Sequence, residues 1–575
     1  MLADVVTSPS RRRTYVDGGL WTGDTLAGRV AGHATRHPDR LAVVDRRGAR
    51  RATWAQLHRD AAAVAAGLRR MGVRPGDVVS VQLANTYETV VCDLAVLSVP
   101  AVLNPLLPNY RARELAHVFA TARPRAIFAP GSVGVDGAGT DYRALVAGAR
   151  DAAGSATRHV VVGDLGGDAG DPGNPGDPRQ GDGDTSLAAL LRTSPDEPTT
   201  DRLGAGPGAG AVSELIFTSG TEATPKPIMH TEQTANFSVR AARAALGVAD
   251  GDVVWMPSPI GHSTGLNFGV RMALYFGLPL VLQERWDPEE AARLIEAERC
   301  TYTLAATTFL KDLLGAAGDR DLRSMRHFGC GGAPVPPELV EEGDRRGLGV
   351  LRLYGSTEAL VATWNRPASP AAKRRHTDGR ALDDIEVAIR DDDGRPVATG
   401  EPGELFVRGP DTCVGFFGDP DRTAATFLPD GWVRSGDLCT VDDDGYLTVV
   451  GRKKEIIIRG GMNIAPREIE DLLARFPEVD RAAVVGVPDD RLGERSCACL
   501  VLRPGHTVDL ATVVSRLRAD GLASYKLPEQ LHVVDALPTT ASGKVQKHEL
   551  VRQVTAAGAS GSGGGAGRSA GPVGA

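Results

Sequence analysis

The sequence predicts an α/β fold, with a large N-terminal domain of sheets layered with helices and a small, mobile α+β C-terminal domain. The chain has 575 residues, more than one hydrophobic core normally supports. Apolar strand-like runs alternate with amphipathic helical patterns, which is typical of sheets covered by helices. A compact stretch with its own strands and helix follows a turn-rich segment at residues 431–450. We therefore place the domain boundary near residue 451.

The composition narrows the classes of function. Apolar residues make up 42% of the chain and charged residues 24%, as in ordinary globular proteins. The net charge of −7 and the aromatic content of 5% argue against a nucleic-acid-binding surface. The cysteines are scattered and lack metal-ligand spacing, which indicates reduced thiols. We expect a cytoplasmic monomer or homodimer without a signal peptide or a transmembrane segment.

Local signals in the large domain predict individual elements. Thr53 and Gln56 form a possible capping box ahead of a helical pattern, and Gly72 can end that helix. Residues 78–83 are typical of a buried strand. The run that begins at Asp287 opens another helix, with proline at its first position.

The chain divides into predicted segments. Residues 1–20 form a loose arm, residues 21–450 the large domain and residues 451–555 the small C-terminal lid domain. Gly, Asp and Pro dominate residues 163–184, which we interpret as a flexible surface insertion. Residues 556–575 form a Gly-rich tail that we expect to be disordered.

The small domain has an amphipathic pattern and strand-like runs. A helix is predicted over Pro466–Phe476, and its apolar residues face inward. Those residues are Ile469, Leu472, Leu473 and Phe476. Residues 482–487 and 499–502 are typical of strands.

The segment from Thr218 to Lys226 combines residue types that bind phosphate. It follows an apolar strand at residues 214–217, is rich in hydroxyl groups and ends in a lysine. Hydroxyl and backbone N–H groups can surround phosphate oxygens, and a lysine ammonium adds a positive charge. The spacing differs from that of a Walker A loop, and an ordinary Ser/Thr-rich turn is the alternative. The candidate ligands are Thr218, Ser219, Gly220, Thr221, Thr224 and Lys226.

Further segments place polar residues beside glycines in a fixed order along the chain. They are Pro257–Gly265, Gly331–Pro334 with Leu353–Glu358, Gly431–Asp437, Gly451–Ile464 and Pro538–Lys544. Taken singly, each has a structural explanation: Tyr354 as a core aromatic, Asp437 as a turn residue and Lys544 as a solvated lysine. The segment around Gly460 alone is typical of a hairpin beside a charge run. The order of all these segments along the chain is what favours a functional interpretation.

Together these segments resemble the signature motifs of the adenylate-forming superfamily, which comprises acyl-CoA synthetases, peptide-synthetase adenylation domains and luciferases. The resemblance covers about residues 20–552. Residues 492–497 and 525–528 look especially like cyclohexanecarboxylate-CoA ligases and aryl-acid adenylating enzymes. The phosphate loop departs from the family pattern at Glu222, Ala223 and Pro227. Glu222 must point away from the triphosphate, pair with a cation or help to hold a metal.

The resemblance implies a site for ATP and Mg²⁺. Tyr354 would pack on the adenine, Thr357 would contact the α-phosphate, and Asp437 would accept from the ribose hydroxyls. Glu358 would hold Mg²⁺, and Lys544 would reach the carboxylate and the α-phosphate. The implied ATP ligands beyond the loop are Gly331, Gly332, Ala333, Pro334, Tyr354, Gly355, Ser356, Thr357, Asp437, Arg452 and Lys544.

The resemblance also implies an acyl pocket and a hinge. His262 would lie between the pocket and the adenylate, and Lys454 would occupy the hinge. Gly460 and Gly461 would line the tunnel for the thiol arm. The implied catalytic residues are Lys544, Thr221, Glu358 and His262, and the implied pocket residues are His262, Ser263, Gly265, Gly331 and Val361.

The leading functional hypothesis is an ATP-dependent acid–thiol ligase. Such an enzyme would convert a carboxylic acid into acyl-AMP with release of pyrophosphate, and would then transfer the acyl group to coenzyme A. An aryl, alicyclic or medium aliphatic acid is favoured, because no acidic partner for an amino-acid ammonium lies near His262. Enzymes that read an ortho hydroxyl often have Asn where this chain has Ser263, which disfavours dihydroxybenzoate.

Other interpretations stay open at this point. A stand-alone adenylating enzyme would instead load the phosphopantetheine of a carrier protein, and another nucleophile is also compatible with the family. A non-catalytic nucleotide-binding relative is the remaining alternative. Acid-dependent pyrophosphate exchange would separate this last interpretation from the enzymes.

Overall fold

The computed structural model describes most of the chain and divides it into two compact units. The described residues are 7–45, 49–131, 140–162, 185–192, 208–218, 225–460, 462–489, 491–540 and 544–561. The predicted insertion at 163–184 lies outside them. The larger unit contains Met1–Ser435 and Thr440–Val449, and the smaller contains Gly436–Cys439 and Val450–Ala575.

The helices of the larger unit cover the faces of its sheets. They are α1 Pro9–Asp17, α2 Leu26–Arg36, α3 Trp54–Arg70, α4 Tyr87–Ser98, α5 Ala112–Ala122, α6 Tyr142–Ala153, α7 Leu187–Leu191, α8 Glu232–Leu246, α9 Ser263–Gly265, α10 Met272–Phe276, α11 Pro288–Glu298, α12 Thr307–Ala316, α13 Pro337–Arg345, α14 Ala371–His376 and α15 Pro420–Thr426. A π-helical segment, Leu266–Arg271, joins α9 to α10.

The strands follow in the same chain order. They are β1 Leu41–Asp45, β2 Arg50–Thr53, β3 Val78–Val81, β4 Val102–Pro105, β5 Ala126–Pro130, β6 Arg158–Val162, β7 Thr185–Ser186, β8 Val212–Thr218, β9 Lys226–Thr231, β10 Val254–Met256, β11 Leu280–Leu282, β12 Tyr302–Ala305, β13 His327–Cys330, β14 Val350–Ser356, β15 Leu360–Trp364, β16 Arg380–Ala381, β17 Glu386–Arg390, β18 Gly403–Arg408, β19 Val433–Val441 and β20 Leu447–Arg452.

Two mixed sheets form the centre of the larger unit. One has the strand order β16-β15-β14-β13-β12-β10-β11-β1-β2, and the other has the order β7-β6-β5-β3-β4-β8-β9. The inner strands of both sheets run parallel, whereas the outer pairs β14–β15, β1–β2 and β8–β9 are antiparallel. Apolar clusters bury the sheets against their helices. This architecture confirms the predicted α/β class.

The smaller unit is an α+β fold built on one sheet. Its elements are β21 Ile457–Arg459, β22 Met462–Ile464, α16 Pro466–Leu473, β23 Val479–Asp489, β24 Gly493–Leu502, α17 Leu510–Ala519, β25 Gln530–Val533 and α18 Lys547–Gly561. The strand order is β22-β21-β24-β23, and β25 pairs with β24 in parallel. A 3₁₀ turn, Lys453–Glu455, precedes β21. Helix α18 continues past residue 556, where the sequence prediction begins the tail.

Alternating side chains place cores on both faces of the small sheet. Val484, Ala498 and Leu500 pack in one cluster with residues of α16 and α17. Val485, Cys497 and Cys499 belong to the cluster that contains Leu550 and Val554 of α18. This period-two pattern is what a strand buried on both faces requires. The predicted helix stops three residues early, at Leu473, although Phe476 is still buried.

Several local signals act as predicted. The Thr53 hydroxyl accepts from the Gln56 N–H at 3.3 Å, and the Gln56 carboxamide accepts from the Thr53 N–H at 2.8 Å. Gly72, just past α3, has a φ of +80°, a left-handed conformation that favours glycine. The Asp287 carboxylate caps α11 by accepting two backbone N–H groups. All seven cysteines are buried, and none forms a disulfide.

The predicted loose arm instead contains helix α1. The Ser8 hydroxyl accepts a backbone N–H of the first turn at 3.3 Å, which caps the helix. The Trp21 indole, just past the arm, donates to the Pro410 carbonyl at 2.8 Å, and Tyr15 packs edge-on against Trp21. Helix α1 buries none of its residues, so the sequence has no apolar periodicity that would have revealed it.

A fully buried arginine joins three elements of the larger unit. Arg271, at the end of the π-helical segment, forms an ion pair with Glu214 of β8 and another with Glu232 of α8, the latter at 2.7 Å. Its Nε donates to Asn267 at 3.0 Å, and one Nη donates to Asn236. Burial would lower the pKa of Arg271, but the two carboxylates outweigh this and raise it. The arginine is therefore a permanent cation inside the protein.

No helix in the described part of the chain is long and apolar enough to cross a membrane.

We expect Arg271→Met to lower the free energy of unfolding of the larger unit by about 3–5 kcal/mol, because two carboxylates lose their buried cation. All six tryptophans lie in this unit, so urea unfolding followed by tryptophan fluorescence reports on it. The double variant Arg271→Met/Glu214→Gln should recover part of the loss.

The control for this prediction is Arg323→Ala, which removes an exposed pair with Asp321 at 2.8 Å. It should unfold like the wild type, because water screens an exposed pair. If Arg271→Met were no less stable than this control, the buried ion pairs of Arg271 would not stabilise the larger unit.

Candidate active site

The ends of the predicted phosphate loop lie opposite each other in the larger unit. Strands β8 and β9 pair in antiparallel register, with Thr218 facing Lys226 and Phe217 facing Pro227. Residues 219–224, including the candidate ligands Ser219, Gly220, Thr221 and Thr224, lie outside the described residues. The two ends are half-buried. The hairpin thus places a hydroxyl and a lysine opposite each other where the two strands meet the loop.

The Gly331 segment follows strand β13 and packs beside the start of the Tyr354 motif. Strands β13 and β14 are parallel neighbours, so their carboxyl ends lie at the same edge of the sheet. A Cβ on Gly331 would come within 2.6 Å of the Leu353 carbonyl oxygen, closer than carbon and oxygen tolerate. Gly332 has a φ of +78° and is exposed. Two glycines therefore leave backbone without side chains at this edge, and ligands of open α/β sheets bind beyond the carboxyl ends of their strands.

The Tyr354–Glu358 motif forms the end of β14 and the turn into β15. Tyr354 is buried and pairs with Thr363 across the two strands. Gly355 pairs with Val361, and a Cβ at Gly355 would overlap the Leu360 carbonyl oxygen. Ser356, Thr357 and Glu358 are half-buried. The turn can exist only with glycine at its start.

Two successive carbonyl groups of this turn have fixed partners. The ring Nε2 of His230 lies 2.7 Å from the Thr357 carbonyl oxygen. The Cys413 N–H donates to the Glu358 carbonyl at 2.7 Å. Burial lowers the pKa of His230, so the ring is neutral. His230 was not among the sequence-predicted residues, and its only signal is a polar residue in a buried strand.

The His262 segment is held by its backbone. The Nδ1 of His262 accepts from the Thr264 N–H at 3.2 Å and caps the short helix α9. Asn85, which sequence reasoning missed, donates to the Ser258 carbonyl at 2.9 Å and accepts from the Ile260 N–H at 2.8 Å. Together these contacts fix the conformation of the loop that carries His262.

The residues predicted to line the acyl pocket differ in burial and in how closely they pack against backbone. Ser263 and Val361 are buried, and His262 is half-buried. A Cβ at Gly265 would overlap the Pro259 carbonyl, and one at Gly331 would meet the Leu353 carbonyl. Glycine is therefore required at both positions for close packing against backbone, whatever space the acyl group occupies.

In the smaller unit, Asp437 and Arg452 form an ion pair. The Arg452 Nε lies 3.0 Å from an Asp437 carboxylate oxygen, and the Asp437 side chain is 8% exposed. A carboxylate can accept hydrogen bonds from two neighbouring hydroxyl groups. This pair is therefore compatible with the implied contact to ribose.

The hinge candidate Lys454 lies in the 3₁₀ turn Lys453–Glu455. The Nζ of Lys547, at the start of α18, contacts Glu455 at 3.0 Å and Glu470 of α16 at 2.8 Å. Burial would lower the pKa of Lys547, but the two carboxylates raise it. The residue after the hinge candidate is thus tied to two helices of the smaller unit.

Gly460 lies at the turn of the β21–β22 hairpin. Its φ is +57°, and its N–H donates to the Leu492 carbonyl at 2.7 Å. Gly461 lies outside the described residues. The apolar side chains of Ile458 and Met462 on this hairpin are 56% and 40% exposed.

Thr540 and Lys544 are joined by two hydrogen bonds. The Thr540 N–H donates to the Lys544 carbonyl at 2.8 Å, and the Lys544 N–H donates to the Thr540 hydroxyl at 3.2 Å. Residues 541–543 between them are not described. Hydrogen bonds therefore hold the backbone on both sides of the Lys544 Cα, from which the side chain extends.

These features are compatible with the nucleotide and carboxylic-acid sites that the motifs imply. The AMP-binding enzyme profile matches residues 30–417, and the profile of the AMP-binding enzyme C-terminal domain matches residues 468–544. The chain belongs to the AMP-binding enzyme family.

Curated relatives match along nearly the whole chain. The medium-chain fatty-acid–CoA ligase of Escherichia coli (strain K12) is 35% identical over 96% of this chain and 94% of its own length. The salicyl-AMP ligase/salicyl-S-ArCP synthetase of Mycobacterium tuberculosis (strain ATCC 25618 / H37Rv) is 34% identical over 95% of this chain and 93% of its own. ATP-bound MatB from Rhodopseudomonas palustris superposes with a TM-score of 0.78 at 27% identity, covering 92% and 98% of the two chains.

We expect Gly331→Ala to raise the KM for ATP in pyrophosphate exchange by about tenfold, because the added Cβ must push against the Leu353 carbonyl. Gly315→Ala is the matched control, since its Cβ would meet no atom within 4 Å. An unchanged KM in Gly331→Ala would show that the segment does not border the nucleotide.

Proposed function

We propose that this chain converts a carboxylic acid into acyl-AMP and then transfers the acyl group to the thiol of coenzyme A. The main observation in support is the β8–β9 hairpin, which places Thr218 opposite Lys226. His230 of this hairpin lies within hydrogen-bonding distance of the Thr357 carbonyl. This connection ties the implied phosphate and α-phosphate segments to one support. The coenzyme A ligase relative, similar over nearly its full length, supports the same reaction.

The first step must bring two anions together. A carboxylate oxygen attacks the α-phosphorus of ATP, a P–O bond to the β-phosphate breaks, and pyrophosphate leaves. Neutralisation of charge dominates such a reaction. In this proposal Lys544 and Lys226 supply positive charge, and Thr218, Thr221 and Thr357 supply hydroxyl donors.

Glu358 fits a site for Mg²⁺. Its side chain provides carboxylate oxygens, the donor type that Mg²⁺ prefers, and its half-buried position limits exposure to solvent. Its backbone is fixed through the carbonyl bonded to Cys413. When bound, Mg²⁺ would reduce the negative charge of the phosphates.

In the second step the thiol sulfur attacks the acyl carbon and the thiol proton is released. The bond between the acyl carbon and the phosphate oxygen breaks, and AMP leaves. We propose that Lys454 is the pivot about which the smaller domain turns between the two steps. The turn would withdraw Lys544 and bring Gly460 and Gly461 to the acyl group. The exposed apolar hairpin around Gly460 is compatible with such an approach.

The proposed substrate is an aryl, alicyclic or medium aliphatic acid. Ser263 and Val361 are buried and small or apolar. The relatives act on a medium-chain fatty acid and on salicylate, according to their names. The deciding experiment is acid-dependent ATP–pyrophosphate exchange with a panel of such acids. If none of the acids in the panel supported ATP–pyrophosphate exchange, the proposal would be contradicted.

A second candidate is the loading of a carrier protein. The salicyl-AMP ligase relative is also named as a synthetase of a carrier-bound thioester. The acid that supports exchange should therefore be offered with coenzyme A and, separately, with a phosphopantetheinyl aryl carrier protein. Thioester formation only on the carrier would favour this second function.

We expect Lys544→Ala to lower pyrophosphate exchange by about 10²–10³-fold, because one charged donor to the transition state is lost. Thioester formation from supplied acyl-AMP should continue at close to the wild-type rate. Lys311→Ala, on the exposed face of α12, is the control and should leave both steps unchanged. Normal exchange in Lys544→Ala would refute its assignment.

Lys454→Pro should retain pyrophosphate exchange but slow thioester formation, because proline restricts the backbone rotation that a pivot needs. Lys454→Ala removes the same side chain without that restriction and should support both steps. Single-turnover measurements separate them. Equal loss of the two steps in Lys454→Pro would contradict a pivot at this residue.

A further inference from the structure

We propose that His230 is a positioning residue for the reaction, which orients Thr357 and Glu358 by holding the backbone of their turn. The inference rests on the proposed function, since it assigns His230 a task within the adenylation site. His230 is fully buried in β9. It reaches the turn through one hydrogen bond to a carbonyl group and touches neither of the two functional side chains in that contact.

The surroundings of His230 assign its tautomer. A carbonyl oxygen can only accept, so the Nε2 that lies 2.7 Å from the Thr357 carbonyl carries the hydrogen. The Nδ1 then accepts, and the Thr234 hydroxyl lies 3.1 Å from it. That hydroxyl accepts from the Thr231 N–H at 3.1 Å and also lies 3.0 Å from the Thr231 carbonyl oxygen, so this carbonyl and the ring Nδ1 compete for its one hydrogen. The hydrogen bond from Nε2 assigns the tautomer whichever of the two accepts it.

The neighbouring carbonyl is held from the same strand. Cys413 donates to the Glu358 carbonyl at 2.7 Å. The next two residues pair with β9 beside His230: Val414 donates to the Met229 carbonyl at 2.9 Å, and Met229 donates to Gly415 at 3.0 Å. Strand β9 therefore supports both successive peptide groups of the turn, one directly and one through residues 413–415.

The two fixed peptide groups flank the Cα of Glu358, and the first of them begins at Thr357. The two hydrogen bonds therefore restrict rotation of the backbone that carries the Thr357 hydroxyl and the Glu358 carboxylate. Strand β9 begins at Lys226, four positions before His230. The geometry therefore couples the turn to the strand that ends the phosphate loop. The imidazole of His230 reaches from strand β9 to the Thr357 carbonyl. An aliphatic side chain at this position would leave that carbonyl without this hydrogen bond.

The test compares His230→Leu, His230→Gln and His230→Asn with the wild type. The glutamine amide can reach the Nε2 position and donate there, whereas the shorter asparagine amide cannot. His159→Leu is the matched control, because His159 is also fully buried and its Nε2 lies 3.3 Å from the Ala129 carbonyl. His159 lies on β6, toward the opposite edge of that sheet.

We expect His230→Leu to reduce the kcat of pyrophosphate exchange by about tenfold or more, with the KM for the acid within about twofold, because the turn loses a buried hydrogen bond. In calorimetry, His230→Leu should bind ATP about tenfold more weakly than the wild type when Mg²⁺ is present. With EDTA in place of Mg²⁺, the two proteins should bind ATP with nearly the same affinity. Thioester formation from supplied acyl-AMP should persist. His230→Gln should restore exchange and binding, and His230→Asn should not.

Equal effects in His230→Leu and His159→Leu would overturn the inference, and so would equal activity of the glutamine and asparagine variants. That second comparison decides the matter if the leucine variant does not fold. If the wild type shows no acid-dependent exchange but binds ATP, the proposed function fails. The magnesium-dependent binding of the variants then still tests the role of His230.

Discussion

The buried cation of Arg271 is the constraint on which the larger unit depends. An ion pair removed from water is stable only when each charge is matched and every remaining hydrogen-bonding group has a partner. Here Glu214, Glu232 and two asparagine side chains meet that requirement. These residues come from β8, α8 and the π-helical segment, so the three elements cannot slide past one another without exposing an unpaired charge to the core.

This constraint reaches the candidate site directly. Strand β8 leads into the phosphate loop four residues after Glu214, and the π-helical segment follows the His262 motif without a break. π-helical turns are rare and are frequently found at functional sites. In this chain its last residue is the arginine of the network. The proposed phosphate loop and the proposed acyl-pocket motif are thus anchored to a single group of buried charges.

Short-range signals in the sequence were sufficient for part of this structure. The capping box at Thr53, the cap at Asp287 and the hairpin around Gly460 each depend on residues within a few positions of one another. The ordered motifs were enough for the family. By contrast, the partner of His230 is 127 positions away, and Glu214 lies 57 positions from Arg271.

Only the folded chain brings such distant partners together. Neither residue has a periodic or motif-like signature, so neither could be assigned beforehand. Helix α1 escaped prediction for a different reason, because it buries none of its residues and has no apolar periodicity.

The ion pairs of Lys547 have a mechanical consequence. Lys547 stands three positions after Lys544 and binds Glu455, the residue next to Lys454, as well as Glu470. The start of the smaller unit, helix α16 and the segment that carries Lys544 are therefore linked at one point. If the chain turns at Lys454, these parts move as a stiff lever arm. A change in backbone angle at Lys454 would then carry the Lys544 ammonium along with helix α16 instead of moving it independently.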